Sequence, residues 1–287
     1  MENQATDGLL LVDKPAGHSS HDVVSIVRRA LGVRRVGHSG TLDPFATGLL
    51  ILLIGRATRL ADYLEDEPKT YDATVRLGAE TDTDDPTGQV VRSAPVPSRA
   101  ALESAMIALS GDILQVPPAF SAKQRDGQRA YRAARRGAAL PLAPAAVHVE
   151  GWTVREWRTT ELDVRITCAG GTYIRALARD LGRLADGAAH LSALRRVQCG
   201  RFSVNEACTI EELRASPPAL LPPRAAVPSL PAQVLTPSEA IRVAHGQRVP
   251  ASEPGARAAL VDAAGTLVAV ADRADGDWRP RLVMRDA

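Results

Sequence analysis

One acidic residue of this chain stands where a carboxylate could do chemistry. In Gly37-His38-Ser39-Gly40-Thr41-Leu42-Asp43-Pro44-Phe45-Ala46-Thr47-Gly48-Leu49-Leu50 the glycines permit backbone conformations closed to other residues, and Pro44 drives Asp43 towards an extended one. A carboxylate fixed in this way can act as a nucleophile or stabilise a developing positive charge. It can equally cap its own turn by accepting a backbone N–H. Farther along, Ala169-Gly170-Gly171 makes a tight turn before the helical run Thr172 to Leu181, which sets Tyr173 and Arg175 at the mouth of a strand-turn-helix junction. A helical arginine there ordinarily makes a surface ion pair, with Asp180 at hand. Tyr71, one of few aromatic residues in a chain with 3% of them, reads first as a half-buried strand tyrosine. From Lys123 to Arg136 six basic residues face one acid, Asp126. As a helix this run is either a solvated surface or a stripe of Arg125, Arg129, Arg132 and Arg136 whose mutual repulsion calls for an anion such as a phosphate backbone.

These residues need elements to position them. Leu9 to Asp13 reads as a strand ending in the Lys14-Pro15-Ala16-Gly17 turn, and Ser19 or Ser20 caps a helix with an apolar face of Val23, Val24, Ile26, Val27, Ala30 and Leu31, closed by Gly32. Leu49 to Ile54 is a continuous apolar run, which fits a strand buried on both faces. Arg56 to Leu64 reads as helical, Lys69 to Gly78 as a strand, Pro97 to Leu109 as a helix, and Val147 to Val149, Trp152 to Trp157 and Glu161 to Cys168 as strands. Asp82-Thr83-Asp84-Asp85-Pro86-Thr87-Gly88 is an acidic turn; proline at the third ligand position and Ser93 in place of the closing glutamate exclude a calcium loop. His18 and His21 have no third metal ligand nearby and are assigned to hydrogen-bonded turn and cap positions. Seven prolines between Ser216 and Pro237 mark a linker, about 216–231, before a small β-rich tail with strands at 259–262, 266–272 and 281–284.

Composition bounds the function. At 287 residues and 45% hydrophobic, the chain is long enough for one large and one small domain, 1–230 and 232–287. A net charge of +2 leaves nucleic-acid binding to local clusters. Cys168, Cys199 and Cys208 lack metal-site spacing and read as reduced thiols, so a cytoplasmic protein with no metal is expected. No apolar run approaches the ~20 residues that cross a membrane. No phosphate-binding glycine loop or dinucleotide fingerprint appears, so no cofactor is expected. Arginine outnumbers lysine 32 to 3, and Lys14, Lys69 and Lys123 each fall in a stretch singled out on other grounds, as though a compact ammonium were needed there.

GHSGTLDPFATGLL resembles, almost residue for residue, the catalytic motif of the TruB family of tRNA pseudouridine-55 synthases; LLLVDKPAGHSSHDVV and GGTYIRALARDLG resemble its other motifs, and HLSALRRV its Leu-Arg-Arg segment. Ser39 departs from the usual threonine but keeps the hydroxyl. The resemblance implies an α+β pseudouridine synthase domain built on a mixed, largely antiparallel sheet with flanking helices, and a C-terminal PUA-like RNA-binding domain. It implies that Asp43 is the nucleophile, that Arg175 pairs with it, and that Tyr71 stacks on the target base. It further implies substrate contacts from His38, Tyr173 and Leu194, a thumb-like insertion at about 117–141 carrying Lys123, Arg125, Arg129, Arg132 and Arg136, and structural support from Lys14, Pro15, Gly40 and Pro44. The expected partner is the T-arm stem-loop of tRNA, bound by a monomer with no obligatory protein partner. Two rivals use the same residues differently: a glycosidase, which lacks a second carboxylate in a comparable motif, and a non-catalytic tRNA-binding or tRNA-folding protein.

Overall fold

A computed structural model describes residues 7–120 and 142–284, together with the backbone at 124–125 and 128–129. Its frame starts from the two most apolar strands. β1 (Gly8–Lys14) runs antiparallel to β3 (Thr47–Ile54), and β2 (Val36–Ser39) joins the other edge of β3 at Ile51 to Ile54. Because side chains alternate along a strand, each face of this pair needs its own cover. Leu10, Val12, Leu50, Leu52 and Ile54 belong to one apolar core, shared with Val23, Val24, Ile26 and Val27 of α1 (Ser20–Leu31). Leu9, Leu11, Leu49, Ile51 and Leu53 belong to a second core on the opposite face. The continuous run is therefore a strand buried on both faces, each leucine contributing about 1.5–3 kcal/mol by burial. Helix α1 starts on a Ser19–Asp22 capping box and stops at Gly32, at φ 63°.

A 3₁₀ turn (Gly55–Leu60) and α2 (Ala61–Glu65) lead to β4 (Lys69–Leu77), the small hairpin of β5 (Ala79–Thr81) and β6 (Val90–Ser93), then α3 (Arg99–Ala108) and β7 (Gly111–Gln115). β8 (Gln124–Arg125) and β9 (Gln128–Arg129) pair antiparallel. After them come β10 (Ala145–Trp157), β11 (Glu161–Cys168), α4 (Ile174–Leu184), β12 (Ala189–Cys199) and β13 (Phe202–Ser203). The main sheet has nine strands in the path β1-β3-β12-β4-β11-β10-β7, with β2 on β3 and β13 on β12. Every described pairing in it is antiparallel except β3 with β12, which matches the expected mixed, largely antiparallel sheet with flanking helices.

The helical reading of the basic run, on which the four arginines share one face, does not hold at its start. Gln124 stands opposite Arg129 and Arg125 opposite Gln128, a two-strand ladder that removes the helical spacing between Arg125 and Arg129. Val147 to Val149 and Trp152 to Trp157 form one continuous strand, because a bulge between Val149 and Gly151 absorbs the glycine. The proline-rich stretch is packed in place: Leu9 and Leu221 exchange both backbone hydrogen bonds at 2.9 Å, and Ala225, Ala226 and Val227 are buried in the second core.

Following α5 (Ile210–Ala215), the chain ends in a five-stranded sheet of β14 (Ala232–Val234), β15 (Val249–Pro250), β16 (Arg257–Val261), β17 (Leu267–Ala274) and β18 (Asp277–Val283), flanked by α6 (Pro237–Ala244). β18 begins earlier than alternation suggests, since Asp275 and Gly276, both at positive φ, make the β17–β18 turn. Trp278, Leu260, Val268 and Val243 fill a core of its own, while Val261, Val270, Leu282 and Met284 enter the second core against β1 and β3. Among the described residues no helix is long and apolar enough to cross a membrane.

Gly48 shows how tightly β3 meets β12. A Cβ there would lie 2.2 Å from the Arg196 carbonyl oxygen, at φ +99°, whereas Gly17, at φ +83°, has nothing within 4 Å. Gly17→Ala should therefore cost the ~1–3 kcal/mol of backbone strain alone, and Gly48→Ala clearly more, read as the shift in urea unfolding. Equal losses would show that the β3–β12 contact yields.

Candidate active site

Asp43 lies in a gap of the sheet. β12 pairs with β3 at Thr47 and Gly48, β2 pairs with it from Ile51 onward, and the chain between Gly40 and Ala46 fills the space where β3 changes neighbours. Three anchors hold this loop. Ser20 Oγ donates to the Leu42 carbonyl at 3.1 Å and accepts the Leu42 N–H at 2.9 Å. The fully buried Lys14 donates to the carbonyls of His18 at 2.7 Å, Pro15 at 3.0 Å and Pro44 at 3.5 Å. Arg196 donates to the Gly40 carbonyl at 3.0 Å and the Leu49 carbonyl at 2.7 Å. Burial pulls the Lys14 ammonium down to about 8, with the charge of Asp43 opposing. Lys69 repeats the device, donating to the carbonyls of Glu65 and Glu67 at 2.7 and 2.8 Å. Two of the three lysines thus serve where a compact ammonium meets several converging carbonyls.

The Asp43 carboxylate is turned towards Arg175. Arg175 Nε lies 2.8 Å from Oδ2 and Nη2 donates to Oδ1 at 3.3 Å. The two are unequal in exposure: 33% of the Asp43 side chain is open and 5% of the Arg175 side chain. Burial pushes the Asp43 carboxyl above its ordinary range; the Arg175 charge opposes this and that of Asp85 adds to it. Arg175 is fixed from other sides too, donating to the Thr83 carbonyl at 2.9 Å and the Phe120 carbonyl at 2.8 Å, with Asp85 Oδ2 at 3.6 Å.

Helix α4 presents Arg175, Arg179 and Arg183 four residues apart, hence on one side. The acidic turn expected between β5 and β6 is what they face. Arg179 Nη1 lies 3.0 Å from Asp84 Oδ2, and Arg183 Nη2 lies 2.7 Å from Glu80 Oε2. Asp85 braces the turn by accepting from Thr83 Oγ1, Thr87 N and Thr87 Oγ1. Burial raises the Asp84 carboxyl to about 6 despite Arg179. Tyr173 precedes α4 without a side-chain cap; Gln115, buried at the end of β7, accepts its N–H at 2.9 Å and donates to its carbonyl at 3.1 Å. Sequence reasoning missed Gln115, because a polar residue at a strand end carries no signal of burial.

Tyr71 and Leu194 are both members of the first core, 7% and 8% exposed. Burial pushes the Tyr71 hydroxyl up to about 12, while the charge of Arg196 pulls it down. His38 is half-buried on β2 and its Nδ1 has no hydrogen-bond partner among the described residues; burial lowers its pKa, helped by Arg196. His18, expected to be hydrogen-bonded, likewise leaves Nδ1 unpartnered while its carbonyl serves Lys14. Lys123, Arg132 and Arg136 lie outside the described residues. Arg125 and Arg129 stand on the β8–β9 ladder.

A strand-framed gap holding a part-open carboxylate against a buried guanidinium can now be set beside known proteins. The solved structure of the archaeal box H/ACA sRNP Nop10-Cbf5 complex contains a chain of the same fold, with a TM-score of 0.75 over 99% of this chain and 88% of that one at 23% identity. Residues 28–174 match the TruB family pseudouridylate synthase (N terminal domain) profile, and residues 175–240 the tRNA pseudouridylate synthase B C-terminal domain profile. The chain has the fold of a pseudouridine synthase. Curated relatives narrow this further: tRNA pseudouridine synthase B of Thermobifida fusca (strain YX) is 43% identical, covering 96% of this chain and 98% of the relative, and that of Arthrobacter sp. (strain FB24) is 42% identical over 96% of each. The chain belongs to the TruB family of pseudouridylate synthases.

The Asp84 carboxyl carries a pH signature. With a folded pKa of about 6 against an ordinary 3.8, it holds its proton more tightly in the folded state, so its contribution to stability falls as pH rises between those values. Asp84→Asn should flatten the decline of unfolding free energy between about pH 4 and 6. Denaturant unfolding at several pH values checks this, and an unchanged slope would place the titration elsewhere.

Proposed function

We propose that this chain isomerises uridine to pseudouridine at position 55 in the T-arm of tRNA, with Asp43 as the nucleophile. The reaction breaks the bond between N1 of the base and C1′ of the sugar and forms one between C5 and C1′; the proton on C5 is released and N1 gains one. Atoms and electrons balance without an oxidant, a reductant or a second substrate. The reading rests on family membership and on one observation above all. Asp43 is a partly open carboxylate whose partner, Arg175, is buried and held by two backbone carbonyls in addition to the ion pair.

The roles follow from chemistry. A carboxylate that supplies an electron pair must be ionised, and the guanidinium favours that form against the cost of burial. A uridine leaves its stack to reach such a site, at a cost of a few kcal/mol, and stacking on an aromatic ring returns ~1–3 kcal/mol. Tyr71 is assigned that ring; Tyr173, Leu194 and His38 are assigned the remaining contacts. Phosphate contacts from the basic run at Lys123, Arg125, Arg129, Arg132 and Arg136 supply the rest of the affinity, and the C-terminal sheet is assigned the role of a PUA-like RNA-binding domain. Lys14, Pro15, Gly40 and Pro44 keep the Asp43 loop in place. The enzyme is expected to work in the cytoplasm as a monomer.

Incubating the purified protein with an unmodified tRNA transcript, without added metal or cofactor, should yield pseudouridine at position 55. Asp43→Asn should yield none while binding RNA within a few-fold of wild type. Tight binding with no product from either protein would favour the RNA-binding alternative, and a product elsewhere in the tRNA would overturn the site assignment.

Arg175 opposes the rise in the Asp43 pKa, so removing its charge lets that pKa climb further. Activity carried by the carboxylate is present above that pKa and lost as pH falls through it. The acid limb of kcat/KM should therefore move to higher pH in Arg175→Gln. An unmoved limb would mean that it reports some other group.

A further inference from the structure

We propose that Arg196 is a positioning residue that locks the Asp43 loop and Tyr71 into one rigid unit; this rests on the catalytic reading above. Arg196 sits on β12 and is 1% exposed. Among the described residues no carboxylate lies within ion-pairing distance of it. A guanidinium taken from water without a counterion is costly unless its N–H groups meet well-placed acceptors. Here those acceptors define its work. Nε donates to the Leu49 carbonyl at 2.7 Å and Nη2 to the Gly40 carbonyl at 3.0 Å. Gly40 opens the loop that carries Asp43, and Leu49 stands in β3, three residues past the loop's last residue, Ala46. The charge of the same guanidinium reaches the Tyr71 hydroxyl, and Tyr71 is its cross-strand neighbour on β4.

The backbone of Arg196 adds to this grip. It pairs with Gly48 across the parallel β3–β12 contact, and a Cβ on Gly48 would strike its carbonyl oxygen at 2.2 Å. A Cβ on Gly40 would stand 3.0 Å from Nη1. Both glycines leave room for the backbone or the guanidinium of this one arginine. A planar fork spans the two separated carbonyls of Gly40 and Leu49, whereas an ammonium is a single point. Lys14 and Lys69 serve clustered carbonyls; Arg196 bridges separated ones.

A misplacement of about 1 Å in a catalytic group costs on the order of 100-fold in rate. Arg196→Lys and Arg196→Met should therefore lower kcat on unmodified tRNA by about that factor while changing KM by less than about 3-fold. Hydrogen exchange measured by mass spectrometry supplies a readout that needs no activity. Peptides covering residues 38–50 and 69–73 should exchange faster in both variants, with β10, β11 and the C-terminal sheet unchanged. Faster exchange throughout, with a fall in thermal midpoint, would reduce Arg196 to a core-filling residue and overturn the proposal. So would a wild-type kcat in Arg196→Lys. If Arg196→Met does not fold, Arg196→Lys decides alone, because it keeps the charge and most of the buried chain. A wild-type protein that makes no pseudouridine would defeat the catalytic reading, while local exchange confined to the two peptides would still establish the clamp.

Discussion

A guanidinium removed from water is costly unless its N–H groups are engaged, and less costly still where its charge is opposed; at Arg175 both conditions organise the centre of the molecule. Its partners come from three separate stretches: Asp43 between β2 and β3, Thr83 and Asp85 in the acidic turn, and Phe120 beyond β7. None can shift far without leaving a buried donor unmatched. The ion pair is asymmetric for the same reason. Arg175 is the fixed member and Asp43 the member with open surface.

The constraint continues along α4. Arg179 and Arg183 use the same side of the helix and find Asp84 in the turn between β5 and β6 and Glu80 on β5. Burial works against the ionised form of Glu80, yet Arg183 and Arg92 hold its carboxyl below the ordinary range; at Asp84 burial outweighs the nearby arginines and raises the carboxyl to about 6. A turn that resembles a failed calcium loop is thus the counter-charge of a helix. Asp84 meets Arg179 at 3.0 Å and Asp85 stands 3.6 Å from Arg175, while Asp82 accepts the Gln89 N–H within the turn.

The sheet supplies rigidity from behind. β3 leaves the Asp43 loop and is at once buried on both faces, by α1 and its neighbours on one side and by the C-terminal sheet on the other. The C-terminal unit therefore covers the strand that carries the site, beyond any part it plays in binding RNA. Arg59 reinforces the join by donating to the Val283 carbonyl at 2.8 Å, and Arg257 lies 5.5 Å from the Tyr63 ring centre. The proline-rich stretch crosses this seam as packed chain and not as a free tether.

Local order in the sequence was enough for much of this. The apolar run of β3, the Ser19 cap and Gly32 stop of α1, and the alternation of β4 and β11 are set by residues within a turn or two of one another, and their periods are visible without a fold. The Asp43 loop was legible because its glycines and proline restrict the backbone directly, and Lys14 and Lys69 because lysine is so rare here. Tertiary structure alone decided what those residues touch. Arg196 reads as one more strand arginine until β12 comes to lie beside Gly40 and Gly48, and Gln115 as a strand end until α4 needs a cap. The helical spacing that would align Arg125 with Arg129 gave way to a two-strand ladder, since like-charge spacing says nothing about which backbone partner is nearest. Buried polar contacts join positions far apart in the chain, and only a closed fold brings such positions within hydrogen-bond distance.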